Sequence, residues 1–283
     1  MKIARIDGKA HLIDDSGNEL RAADIEALSG GEFSSDVKAL LPRLDELQVW
    51  SEEADWKTRG ETVDFLQLQT PLPDPTQILA IGMNYQDHAD EVNISVPESP
   101  AIFTKFSSSL TGASHKVKLP SAMVDWEVEL VAVIGQGGRN IGKQEAWEHI
   151  AGYAVGQDLS CRELQFAASN SPQFSLGKSY EGFAPVGPWI TTADEIDVSL
   201  GVRMDCRRGD VILQQGSTEH LIFDIPTLIE HISSVIELRT GDLIFTGTPD
   251  GVGFGRDPKE FLSPGDRLTS TIEGLGTIVQ AFH

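Results

Sequence analysis

Beyond residue 76 the apolar residues of this chain come in short runs, each cut off by glycine or proline within a few positions, and this punctuation limits the fold more than any other feature. The runs are ILAIG from Ile78, the stretch over 126–134, YAVG from Tyr153, APVGPWI from Ala184, the stretch over 202–206, DLIFTG from Asp242 and RLTSTI from Arg267. Runs of this length and spacing read as strands, and none approaches the ~20 apolar residues of a bilayer-spanning helix. Helical periodicity is confined to residues 144–150, 225–238 and 86–92. The expected class is α+β, dominated by strands.

The first 72 residues read as a small N-terminal α/β domain. A strand over 2–6, a turn at Asp7-Gly8 and a returning strand over 9–13 precede mixed helical patterns through Leu47. TPLPDPT, at 70–76, sets three prolines among polar residues, which forbids a regular helix and marks the entry to a second domain over 73–283.

The formal charge of -21 repels a phosphate backbone, so nucleic acid is not an expected partner. An acidic surface serves solubility and concentrates metal cations. MKIARIDGKA alternates apolar and polar residues and lacks the apolar stretch of a signal peptide, so a cytoplasmic address with no membrane partner is the expectation. Cys161 and Cys206 have neither CxxC spacing nor the density of a disulfide scaffold and read as reduced, buried side chains.

In VDWEVELVAVIG, Glu127 and Glu129 are two apart on a predicted strand, which points both to one face and Trp126, Val128 and Leu130 to the other. At an effective dielectric constant of about 20, two like charges ~4 Å apart repel by about 4 kcal/mol. A half-buried pair therefore needs a cation or a shifted pKa; a solvated strand face is the other reading. Asp125 shares their parity, so spacing alone does not choose the ligands. A second acidic centre follows in GYAVGQDLSCRELQ, where Asp158 ends an apolar run and precedes Ser160, Arg162 and Gln165. Carboxylates without Cys or paired His favour a hard ion, Mg²⁺ or Mn²⁺, over Zn²⁺.

His88 and Glu91 lie three apart in IGMNYQDHADEVN, and on a helix such residues share a face. A carboxylate beside an imidazole raises its basicity and makes a general base; a surface histidine is the plainer alternative. Lys178 sits in a GKS triplet, but Pro172 holds the upstream glycine position of a phosphate-binding loop, and Asn140 spoils GQGGRN as a dinucleotide fingerprint. Lys178 reads better as a fixed positive charge for an oxyanion or carboxylate. TGTPDGVGFG, after a strand, could grip a carboxylate with backbone N–H groups and the Thr248 hydroxyl, or be a plain turn.

Together and in this order, GMNYQDHADE, the Glu-x-Glu strand, GQDLSCRELQ, GKSYEGFAPVGP and TGTPDGVG resemble the fumarylacetoacetate hydrolase family over residues 78–278. The resemblance implies a mixed β-sandwich roll, a metal pocket under a mobile lid, and generally a homodimer. It assigns Glu127, Glu129 and Asp158 to the metal, leaving Asp125 aside. It places His88 and Glu91 in a catalytic dyad, sets Arg162, Gln165, Lys178 and Thr248 at substrate oxygens, and puts Tyr180 beside them. Gln157, Cys161, Glu163 and the triplet Tyr180-Glu181-Gly182 depart from the commoner family pattern, and Gln157, Cys161 and Tyr180 are expected to border the pocket. The implied activity is metal-dependent hydrolysis of a carbon–carbon bond in a small 2,4-diketo acid, an acylpyruvate or sugar-derived compound, through a metal-chelated enolate. Decarboxylation of a 2-keto diacid, isomerisation of a 2-hydroxydienoate and a non-catalytic metal-binding module are the alternatives.

Overall fold

The structure is a computed structural model describing residues 1–91 and 97–283, with the side chains of residues 88–90 left aside. Its largest sheet runs Glu61–Thr62, Arg21–Asp24, Lys9–Asp14, Lys2–Ile6, Ala184–Thr192, Ile150–Gln157, Val128–Ile134, Leu243–Phe245, Ile78–Gly82, Ala101–Thr104. Along this path neighbours are antiparallel except Leu243–Phe245 beside Ile78–Gly82. Every residue of Val128–Ile134, Ile150–Gln157 and Ala184–Thr192 is buried, which is why these strands read as continuous apolar runs: both faces are covered.

On one face Val131, Val133, Ile190 and Phe245 pack with Phe33, Val37, Leu40 and Leu47 from the N-terminal helical region. On the other, Leu130, Ala132 and Ile134 share a core with Leu228, Ile229 and Ile232 of the Ile225–Ser233 helix and with a second sheet. That sheet runs Val211–Ser217, Arg203–Arg208, Arg267–Ile272, Gly276–Phe282, Ser114–Val117. Burial in Arg267–Ile272 alternates, turning Leu268, Ser270 and Ile272 inward, as expected of a sheet solvated on one side.

The N-terminal strands extend the large sheet. Lys2 and Ile3 pair with Thr191 and Ile190, so residues on both sides of the proline-rich segment share one ladder. Two helical expectations need correction. Residues 144–150 form only a short 3₁₀ turn, Ala146–His149, and the helix begun at Ile225 stops at Ser233, where Ser234 bonds back to Glu230 O and Ile232 O. The third, Gln86–Glu91, is helical as far as the described residues reach.

Candidate active site and metal centre

The site lies at one end of the large sheet, where Val128–Ile134 starts and Ile150–Gln157, Leu243–Phe245 and Ile78–Gly82 finish. The expected continuous strand over 126–134 is broken at Trp126 and Glu127. Val124 and Asp125 instead pair with Cys161 and Ser160. Side-chain amides take the N–H groups that a ladder would use: Glu127 N donates to Gln157 Oε1 at 2.9 Å, and Val128 N to Gln214 Oε1 at 2.9 Å. Asp158 N donates to Glu127 O at 2.9 Å, which brings the two acidic segments side by side.

Glu127, Glu129 and Asp158 converge, with ligand oxygens within 4.8 Å of one another, and all three are buried. Three cations surround them. Lys178 Nζ donates to Glu127 Oε2 at 2.7 Å and Asp158 Oδ2 at 2.6 Å; Arg162 Nη2 donates to Glu127 Oε1 at 2.6 Å. Lys105 Nζ donates to Asp158 Oδ1 at 2.5 Å and also to Lys178 O. Glu129 differs from its neighbours, accepting from the backbone, Gly247 N to Oε2 at 2.8 Å. Gly247 stands at φ 103°, and a Cβ there would lie 2.7 Å from Asn84 Cβ, so glycine is what lets this N–H reach Glu129.

Burial, then repulsion from Asp158 and Glu127, holds the Glu129 carboxyl well above its ordinary value. Burial, with a smaller repulsion from Lys178, lowers Lys105 despite Asp158. Burial opposes charge on Lys178 and Arg162 too, but each faces two carboxylates and is raised. Counted together, Asp125, Glu127, Glu129 and Asp158 against Lys105, Lys178 and Arg162 leave one negative charge in excess when all are ionised. The all-oxygen donor set and that excess fit a divalent, hard cation.

Asp125, equal to the others by parity, is spent elsewhere. It accepts from Gly253 N at 2.7 Å, Phe254 N at 2.9 Å and Arg162 Nε at 2.9 Å. The glycine-rich loop thus does grip carboxylates, but they are the protein's own: Gly247 holds Glu129, Gly251 N donates to Glu91 Oε1 at 3.0 Å, and Gly253 and Phe254 hold Asp125.

A cavity of about 160 Å³ opens above the cluster, lined by Glu127, Glu129, Arg162, Gln165, Lys178 and Thr248 and walled by Phe103, Phe166, Phe174 and Phe254. That is room for roughly five waters' share of liquid volume, the scale of a small acid. Gln165 Oε1 accepts from Arg162 Nη1 at 2.9 Å. The Thr248 hydroxyl donates to Val128 O and accepts from Gln214 Nε2, both at 2.8 Å.

Tyr180 is not brought here. It faces a different cavity with His115, Lys116 and Lys118 and packs 5.3 Å from the Phe183 ring. Gln157 and Cys161 also stand away from the lining, Gln157 Nε2 being bonded to Ser270 Oγ at 2.8 Å. Glu91 is in place beside the loop; the side chain of His88, on the same helix, lies outside the described residues. Sequence reasoning missed Lys105 and Gln214, neither of which carries a local signal.

A family model described as fumarylacetoacetate (FAA) hydrolase C-terminal matches residues 77–283. Human mitochondrial oxaloacetate tautomerase FAHD2A is 41% identical over 211 residues, 74% of this chain and 67% of its own length. A fumarylacetoacetate hydrolase from the psychrophile Exiguobacterium antarcticum is similar in structure, with TM-score 0.83 and 30% identity over 100% of this chain and 99% of its own. Maleylpyruvate hydrolase from Sphingobium sp. SYK-6, solved with manganese(II) and pyruvate, gives TM-score 0.81 and 29% identity over 100% and 98%. The β-dominated mixed fold expected from the motifs is the one these proteins share, and the chain belongs to the fumarylacetoacetate hydrolase family.

Proposed function

We propose that the chain hydrolyses a carbon–carbon bond in a small 2,4-diketo acid, with one Mg²⁺ or Mn²⁺ held by Glu127, Glu129 and Asp158. The observation that carries this reading is the charge balance of the buried cluster. With the Glu129 proton held the metal-free cluster is close to neutral; a divalent ion that displaced this proton would bring it to +1, a floor that attracts a keto acid. Bound there, the ion supplies Lewis acidity to two adjacent substrate oxygens.

The protein's own groups do the rest. Lys178 spends two of its three N–H bonds on Glu127 and Asp158 and keeps the third for negative charge that develops on the substrate. Arg162, fixed by Asp125, Glu127 and Gln165, orients rather than moves, while Gln165 positions the substrate carboxylate; the Thr248 hydroxyl, whose hydrogen goes to Val128 O, shapes the floor beside it. The reading gives His88 the role of base toward the attacking water, with Glu91 as its partner. The test is a panel of 2-keto and 2,4-diketo acids with and without Mg²⁺ or Mn²⁺, products identified. The expected result is metal-dependent cleavage of a diketo acid into two carboxylic acids, reduced about 100-fold or more in His88→Ala. Full turnover by that variant, or by metal-free protein, contradicts the reading.

A second reading is favoured by the human relative's name: proton transfer on oxaloacetate at the same site, with decarboxylation of that keto diacid as the further alternative on the sequence alone. The same panel separates it, since loss of enol absorbance or release of CO₂ would replace carbon–carbon hydrolysis.

A further inference from the structure

We infer that the substrate end remote from its keto-acid head is apolar, an alkyl or aryl acyl group, and that Phe103, Phe166, Phe174 and Phe254 select it over a second carboxylate. The inference rests on the keto-acid reading of the site and deepens it.

The cavity is two-sided in chemistry. All its charge among the described residues lies on the floor, in Glu127, Glu129, Arg162 and Lys178, and both cations there already bind carboxylates. The wall begins at once. Lys178 Nζ lies 5.2 Å from the centre of the Phe103 ring, and Arg162 Cζ lies 5.7 Å from that of Phe254.

From there the rings form a continuous surface. Phe103 meets Phe174 at 5.9 Å, Phe174 meets Phe166 at 6.2 Å, and Phe166 stacks on Phe254 at 5.1 Å. Phe166 is 42% exposed and Phe174 37%, so this surface still has apolar area to bury at the mouth. Lys259, whose ammonium lies 3.6 Å from the centre of the Phe254 ring, is outside the cavity lining. A carboxylate at this end would give up water for ring faces that carry negative quadrupole charge, whereas methylene or phenyl groups would gain by leaving water.

Calorimetric binding of 2-keto acids to the Mn²⁺-loaded protein tests this without needing turnover. Affinity is expected to rise about fourfold per methylene from pyruvate through 2-oxobutanoate and 2-oxopentanoate to 2-oxohexanoate. 2-Oxohexanoate should bind at least about tenfold more tightly than 2-oxoadipate, which has the same carbon count and a carboxylate at the far end. Phe166→Ala and Phe174→Ala, at part-exposed positions, should flatten the series, with melting temperature as the check on folding. Equal or tighter binding of 2-oxoadipate, or pyruvate binding with no gain along the series, overturns the apolar end alone. Failure of every keto acid to bind overturns the keto-acid reading and this inference with it.

Discussion

Asp125 and Glu127 carry the same charge two positions apart and face opposite tasks. Glu127 meets Glu129 and Asp158, while Asp125 ties the glycine-rich loop to Arg162 through Gly253 N, Phe254 N and Nε. Asp125→Asn is therefore expected to lower stability by about 3 kcal/mol, the scale for breaking a buried pair, while one Mn²⁺ still binds. Urea unfolding alongside a Mn²⁺ titration checks it, and a variant of normal stability that loses the ion would make Asp125 a ligand after all. Glu129 adds a pH signature. Its folded pKa is raised above the ordinary 4.5, so the metal-free fold holds this proton more tightly than the unfolded chain does. That contribution to stability is complete below about 4.5 and is lost as pH rises through the folded value. A bound cation must displace the proton. Mn²⁺ affinity should thus rise with pH over the same window, and calorimetry in two buffers of different ionisation heat should show proton release; no release would contradict the raised value.

At the scale of elements, the strands were legible because glycine and proline end them and because full burial leaves continuous apolar runs at Val128–Ile134 and Ala184–Thr192. The break at Trp126–Glu127 was not legible, since the amides that cause it arrive from Gln157 and Gln214, far along the chain. Residues 144–150 misled for a local reason, a helical period too short to nucleate more than one 3₁₀ turn. The three convergent carboxylates could be read from motifs; Lys105 could not, because nothing local marks a lysine that will pair with Asp158. The turn after Leu243–Phe245 is where backbone geometry meets chemistry. Gly247→Ala would strain a φ of 103° and press on Asn84, displacing the N–H that Glu129 accepts. We expect Mn²⁺ affinity to fall about 10- to 100-fold, the usual cost of disturbing a group that orients a ligand, with a smaller change for Gly142→Ala, where a Cβ meets nothing within 4 Å. Equal affinities in the two variants would show that this contact does not matter.

Across the whole molecule, one ladder joins the N-terminal strands to those that carry the site, and its two faces bury separate apolar cores. The large sheet thus acts as a frame whose one end brings together acidic residues from distant segments, the cations that pair with Glu127 and Asp158, and a loop that spends its N–H groups on Glu129, Glu91 and Asp125. A homodimer, as the family resemblance implies, is a proposal that light scattering in solution would test. The three convergent carboxylates at the end of this frame fit a divalent cation. Titration of Mn²⁺ into metal-free protein, followed by electron paramagnetic resonance for the wild type and for Glu129→Gln, tests that fit most directly. One ion should bind per chain of the wild type, and affinity should fall more than about 100-fold in the variant, beyond the cost of disturbing a surrounding group. Undiminished binding of one ion by Glu129→Gln would contradict it.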